Sequence, residues 1–122
     1  MFKNYLSRDK KSTPKYFYNG DRKLQILHTR LRTQCSSLNH HLFQRNISPT
    51  PFCDCGQIET NSHYFFECQR FTSNRQKLLQ NLNNYDITLE TLLSGNPDIS
   101  DADNATIFQH VHIFISETKR FL

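Results

Sequence analysis

The chain has no tryptophan, so the aromatic share of any core must come from its ten Phe and five Tyr, supported by scattered Leu and Ile. It also has no apolar run approaching the roughly 18 to 20 residues that cross a bilayer, and no membrane-spanning helix or membrane partner is expected. The opening stretch "MFKNYLSRDKKSTP" lacks the apolar centre of a secretory signal peptide. The expected compartment is therefore intracellular, with nucleus and cytoplasm not distinguished. There thiols stay reduced, and clustered Cys and His are metal ligands more often than disulfides. A third absence is local: from Asn46 to Gln69 there is no Lys or Arg, while Asp54, Glu59 and Glu67 are acidic.

What is present fits one small domain. At 122 residues and 36% hydrophobic content the composition is globular, and a domain of this size gains from extra stapling. The net charge of +4 is unevenly spread. Residues 1–50 hold ten Lys and Arg against two Asp, whereas residues 51–122 hold five against nine acids. A polyanion would meet the first half, unless both halves simply carry solvated faces.

Residues 1–20 read as a basic arm, at best partly ordered, ending in the aromatic run Tyr16, Phe17, Tyr18 before Gly20. Residues 21–122 read as a single helical domain. From Asp21, an N-cap, steps of 100° put Leu24, Leu27, His28, Leu31 and Cys35 on one stripe, with Arg22, Lys23, Arg30 and Arg32 off it. Cys35 and His28 are expected to be buried on that stripe. Ser36-Ser37 breaks the pattern before a short helix with Leu38, Leu42 and Phe43, which the prolines of "NISPTPF" end. Phe71, Arg75, Leu78 and Leu82 share another stripe. A helix through Leu89, Leu92 and Leu93 stops at Gly95, and Ser100 with Asp103 has the spacing of a capping box ahead of a long helix. Ile107, Val111, Phe114, Ile115, Phe121 and Leu122 form that helix's apolar face. No period-2 strand is evident outside the cysteine region. The expected fold is mainly α, a small bundle of four to five helices stapled by a zinc knuckle at 51–69.

The knuckle is "PFCDCGQIETNSHYFFEC", in which Cys53, Cys55, His63 and Cys68 fall within sixteen residues. Three thiolates and an imidazole are a usual complement for tetrahedral structural zinc, one ion per chain, with no position left for a catalytic water. Gly56 suits a tight turn that aims backbone amides at sulfur, and Thr60 is a plausible N-cap for a helix carrying His63. Residues five apart lie about 140° apart on an α-helix, so His63 and Cys68 share a metal only if the helix ends or bends near Cys68. A disulfide framework leaves an odd Cys, and a Cys–His catalytic pair leaves two residues unexplained. Burial of the cysteines as small hydrophobes is the competing explanation. His40, His41, His110 and His112 have no ligand-spaced partner and receive no role. Tyr64, Phe65 and Phe66 read as hydrophobic support for the metal site rather than as stacking platforms. Any contact with RNA or DNA falls to Lys15, Arg22, Lys23, Arg30 and Arg32, with Tyr16 and Tyr18 available for stacking.

"GDRKLQILHTRLRTQCSSLNHHLF", the cysteine cluster and the following "FTSNRQKLL" together resemble the C-terminal region of non-LTR (LINE-type) retrotransposon reverse transcriptases, where a CCHC zinc-binding motif follows the polymerase. The likeness runs from about Tyr16 to the C-terminus. It implies that Cys53, Cys55, His63 and Cys68 occupy the places of the family's metal ligands. There is no Tyr-x-Asp-Asp polymerase box, and 122 residues are too few for a polymerase or an endonuclease. The resemblance therefore implies a non-catalytic fragment or degenerate copy, with template RNA, target DNA or the rest of a parent polymerase as partners. A structural or protein-interaction module that binds no nucleic acid is the alternative.

Overall fold

The computed structural model describes residues 13–121. Residues 1–12 of the expected basic arm, and Leu122 of the last apolar face, lie outside them. Five α-helices form: α1 (Arg22–Arg32), α2 (Asn39–Gln44), α3 (Thr72–Asn81), α4 (Leu89–Ser94) and α5 (Asp101–Thr118). They are joined by 3-10 turns at Lys15–Tyr18 and Gln69–Phe71 and by a π-helical turn at His63–Glu67. The described residues hold no strand beyond one antiparallel bridge, Phe52 to Ile58. The fold is mainly α, as the periodicity requires.

Helix α5 organises the rest, since α1, α3, α4 and the Lys15–Tyr18 turn all pack on it. It starts where the capping spacing places it, with Ser100 Oγ accepting from the Asp103 amide at 3.1 Å. Its buried residues Asn104, Ile107, Phe108, Val111, His112, Phe114 and Ile115 cover an arc of about 160° at 100° per residue. That width, greater than the single expected face, lets it serve neighbours on two flanks. On one, Phe108 meets Tyr16 edge-on at 5.0 Å and stacks with Phe17 at 5.5 Å. On the other, Phe114 contacts Phe65 and Tyr64 at 5.5 and 5.2 Å. In a chain without tryptophan these rings form most of the aromatic part of the core, and fully burying one is worth about 1.5–3 kcal/mol.

The last residues of the expected arm belong to this core. Tyr16 is buried against α5 and its hydroxyl reaches the Ser94 carbonyl at 3.4 Å, because its ring has apolar partners on Phe108 that no local pattern reveals. Gly95 makes room for it: a Cβ there would lie 2.6 Å from the Tyr16 hydroxyl, and the backbone sits at φ +83°.

Asp21 caps α1 through the Lys23 amide at 3.1 Å, and His28 and Leu31 are buried on the predicted stripe. The helix then stops sooner than its stripe. Gln34 takes φ +59°, the Cys35 amide bonds the Arg30 carbonyl at 2.8 Å and the Gln34 amide bonds Leu31 at 3.2 Å. This is a Schellman ending built on a non-glycine residue. Cys35 therefore lies beyond the helix and is exposed, contrary to the buried thiol the 100° spacing predicts.

Three buried histidines are tied into the core. His28 Nε2 reaches the Leu92 carbonyl at 2.8 Å and its Nδ1 meets His112 Nε2 at 3.1 Å, while His41 Nδ1 bonds Ser36 Oγ at 2.7 Å. His112 and His41, given no role from sequence, are structural. Burial, reinforced by Arg32, pushes His28 down to about 3, burial takes His41 to about 4, and burial with Arg32 also lowers His112. Each is neutral when folded and titrates near 6.5 when unfolded. Stability from these groups is complete above pH 6.5 and is lost as pH falls from there toward the folded values. His28 alone gives a slope approaching about 1.4 kcal/mol per pH unit in that window. Urea unfolding is expected to show falling stability from pH 7 to pH 5, with the His28 and His41 rings still uncharged in nitrogen NMR spectra at pH 5. A charged His28 in the folded chain at that pH would contradict the arrangement.

Candidate metal centre

Two short segments with opposed local demands converge here. After Pro51 the chain is extended, and Phe52 pairs with Ile58 while the Cys53 amide bonds the Gln57 carbonyl at 2.6 Å. Gly56 turns the tip at φ +96°, and its amide bonds the Cys53 carbonyl at 2.9 Å. The Cys55 amide is the one directed at the Cys53 sulfur, where it favours the thiolate. The second segment begins at Thr60, whose hydroxyl accepts from the His63 amide at 3.1 Å, as an N-cap should.

The 140° obstacle between His63 and Cys68 is removed by the backbone. The Cys68 amide bonds the His63 carbonyl at 2.8 Å, a five-residue step that widens the turn, and Cys68 itself leaves the helix at ψ 125°. A π-turn takes one residue more per turn than an α-turn, so positions five apart come onto one side. Arg75 covers the carbonyls this irregularity exposes, donating to Phe65 at 2.9 Å and Cys68 at 2.7 Å. That explains an arginine on the apolar stripe of α3.

As a result the ligand atoms of Cys53, Cys55, His63 and Cys68 all lie within 4.8 Å of one another. Cys53 Sγ is 3.7 Å from Cys68 Sγ, and Cys55 Sγ is 3.2 Å from His63 Nε2. Cys53, His63 and Cys68 are buried and Cys55 faces solvent. His63 turns Nε2 into the group, leaving Nδ1 buried and without a hydrogen-bond partner, 3.8 Å from Glu67 Oε1. A ligating imidazole commonly presents its second nitrogen to a carboxylate in this way. The four residues can hold a metal ion. Without one, burial pushes the Cys53 thiol up to about 11. Burial opposes ionisation of Cys68 as well, but hydrogen bonding from Arg70 outweighs it and draws that thiol below its ordinary value. Metal binding must therefore displace a firmly held proton.

The sequence marks Glu59 only as one of three acids in a segment without Lys or Arg. It is 1% exposed. Its carboxylate accepts from the Asn39 amide at 2.8 Å, from Arg70 at 3.2 Å and from Arg120 at 2.6 and 2.8 Å. Although burial opposes the charge, these partners hold the carboxyl below the usual range. The same Arg70 guanidinium donates to Cys53 Sγ at 3.1 Å. The knuckle is thus flanked by cations from outside the cation-free segment. Arg70, two residues past Cys68, is a near neighbour in sequence, whereas Arg120 is 61 residues from Glu59 and carries no local signal.

The five cations assigned to nucleic acid are not equivalent. Arg22, Lys23 and Arg30 lie exposed within about 100° of arc on α1, and Lys15 is exposed on the preceding 3-10 turn. Arg32 is committed to the core: Nε donates to the Leu93 carbonyl at 2.6 Å and the guanidinium lies 4.0 Å over the Phe17 ring. Tyr16 is buried and Tyr18 is 67% exposed. Tyr64 and Phe65 are fully buried and contact Phe114 in the core beside the metal centre.

No protein-family model, no curated protein and no solved structure matches the chain.

Because metal and fold share these residues, stripping the metal with a chelator is expected to reduce helicity measured by circular dichroism, and Cys68→Ser to abolish stoichiometric binding. A chain that keeps its helicity and unfolding midpoint without metal would refute the assignment.

Proposed function

We propose that the chain is a zinc-stapled, non-catalytic helical module of the kind that follows the polymerase in LINE-type reverse transcriptases, as a fragment or degenerate copy, and that it binds nucleic acid weakly and without sequence preference. The observation that carries this reading is the closed Cys3His set. Bonds of about 2.3 Å to sulfur and 2.0 Å to nitrogen in a tetrahedron require separations of about 3.8 Å between sulfurs and 3.5 Å between sulfur and nitrogen. The 3.7 and 3.2 Å separations of Cys53–Cys68 and Cys55–His63 suit that geometry. With four protein ligands the ion staples two segments and offers no open position for a bound water.

Support for the nucleic-acid part comes from the exposed face of α1. Among the described residues, the side chains of Lys15, Arg22, Lys23 and Arg30 make no hydrogen bond or ion pair, so they are free to meet phosphates. Fluorescence anisotropy with RNA and DNA oligomers across a salt series is expected to show binding that weakens steeply with salt. Lys23→Ala with Arg30→Ala should flatten the logarithmic salt dependence by about 1.5 on single strands. Arg32 is left intact because it supports the core. No binding at low salt, or binding indifferent to the double substitution, would count against the proposal.

A second reading, a protein-interaction module, is favoured by one specific feature. Phe43, Ile47, Phe52 and Ile58 are 44, 63, 50 and 47% exposed, and Phe52 and Ile58 face each other across the bridge. An apolar pair left exposed side by side in this way supports a docking role. Sedimentation velocity with increasing concentration would show self-association that Phe52→Ser reduces; a monomer throughout, with no nucleic-acid binding deficit in that variant, returns the module to the first reading.

A further inference from the structure

An open groove of about 640 Å³ lies between the segment around Asn19–Leu24 and the exposed side of α5. It is remote in role from the metal centre and from the basic face of α1, and its chemistry differs from both. Leu24, Phe108 and Ile113 give it an apolar floor, and Asp21 and Glu117 stand in its wall. Among the described residues no Lys or Arg lines it, in a chain of net charge +4.

Its most informative group is His112, only 6% exposed. The Leu92 carbonyl can only accept, so the His28 nitrogen 2.8 Å away, Nε2, carries the hydrogen. In a neutral ring that leaves a lone pair on His28 Nδ1, and the contact of 3.1 Å then obliges His112 Nε2 to donate. The remaining nitrogen of His112, Nδ1, therefore bears a lone pair. It has no partner among the described residues, and it faces Gly20, where even a Cβ would come within 3.2 Å of it. Glycine at φ +84° keeps this acceptor uncovered on the groove side. A hydrogen-bonded chain from Leu92 through two imidazoles thus ends in one oriented acceptor. Beside it Asp21 uses Oδ1 to cap α1, leaving its second oxygen for a ligand.

We propose that this groove binds a primary ammonium or guanidinium group carried on an apolar stem, the cation donating to His112 Nδ1 and to the Asp21 carboxylate while the stem lies on Leu24, Phe108 and Ile113. A carboxylate and an imidazole lone pair at the charged end, with no Lys or Arg among the described lining residues, and apolar side chains at the other, select that chemistry over anions. The cation can be a free amine or a basic side chain of a partner, and both present the same group to the same atoms.

The zinc-loaded full chain is titrated with phenethylammonium, with the uncharged phenethyl alcohol and with phenylacetate, following the Gly20 and Ile113 amides and the His112 ring nitrogens by NMR. Saturable shifts are expected with the ammonium, about tenfold weaker response with the alcohol, and none with the carboxylate. A Phe-Lys dipeptide amide distinguishes the sources: tighter binding than phenethylammonium identifies a partner's basic segment, and weaker binding identifies a free amine. Asp21→Asn retains a capping oxygen and should weaken the ammonium about fivefold without moving the unfolding midpoint. Absence of saturable binding by either cation, equal binding of phenylacetate, or a His112 ring carrying its hydrogen on Nδ1 would overturn the proposal. None of these outcomes depends on nucleic-acid binding.

Discussion

A single buried carboxylate ties together three parts of the chain that lie far apart in sequence. Glu59 lies between the hairpin that carries Cys53 and Cys55 and the turn that carries His63. It accepts the first free amide of α2 and pairs with Arg70 beside the knuckle and with Arg120 beyond the end of α5. A carboxylate with 1% exposure is tolerable only because every part of its charge is answered. Removing one partner from such a cluster typically costs about 3–5 kcal/mol, since the remaining charge is left buried and uncompensated. The register of the knuckle against α2 and α5 follows from this requirement.

The metal centre depends on that register. Its four donors come from a turn with extended backbone and a helix that departs from α geometry, and each compromise has a local remedy. Gly56 supplies the positive φ at the tip, the π-turn brings His63 and Cys68 to one side, and Arg75 satisfies the carbonyls so exposed. Arg70 belongs to both systems, donating to Glu59 and to the Cys53 sulfur. Three thiolates on a divalent ion carry one net negative charge, which an adjacent guanidinium offsets. Arg70 and Arg120 thus offset part of the acidic character this segment has in the linear sequence.

Local patterns revealed much of the helical framework. The caps at Asp21 and Ser100 and the stop at Gly95 act within a turn of their own residues, and short-range interactions of that kind are legible in sequence. Errors arose where a local pattern was carried past its end. Cys35 continues the stripe of α1 in a linear count, but the left-handed turn at Gln34 removes it from the helix. Arg32 lies off the same stripe and so reads as a surface cation, yet Phe17 and the Leu93 carbonyl occupy it from outside the helix. Tyr16 reads as part of an arm until Phe108, 92 positions away, provides its partner ring.

The sequence by itself determined the helical class, most helix starts, and the identity of the four clustered metal-ligand candidates, because periodicity, capping and ligand spacing are properties of near neighbours. Only the tertiary structure decided how His63 and Cys68 come to one side, that Glu59 is a buried hub rather than a surface acid, and that His28 and His112 form a pair whose outer nitrogen faces a groove. The reason is that buried charges and imidazoles take their protonation and orientation from whatever closes over them. In this chain those partners lie as far as 84 residues away.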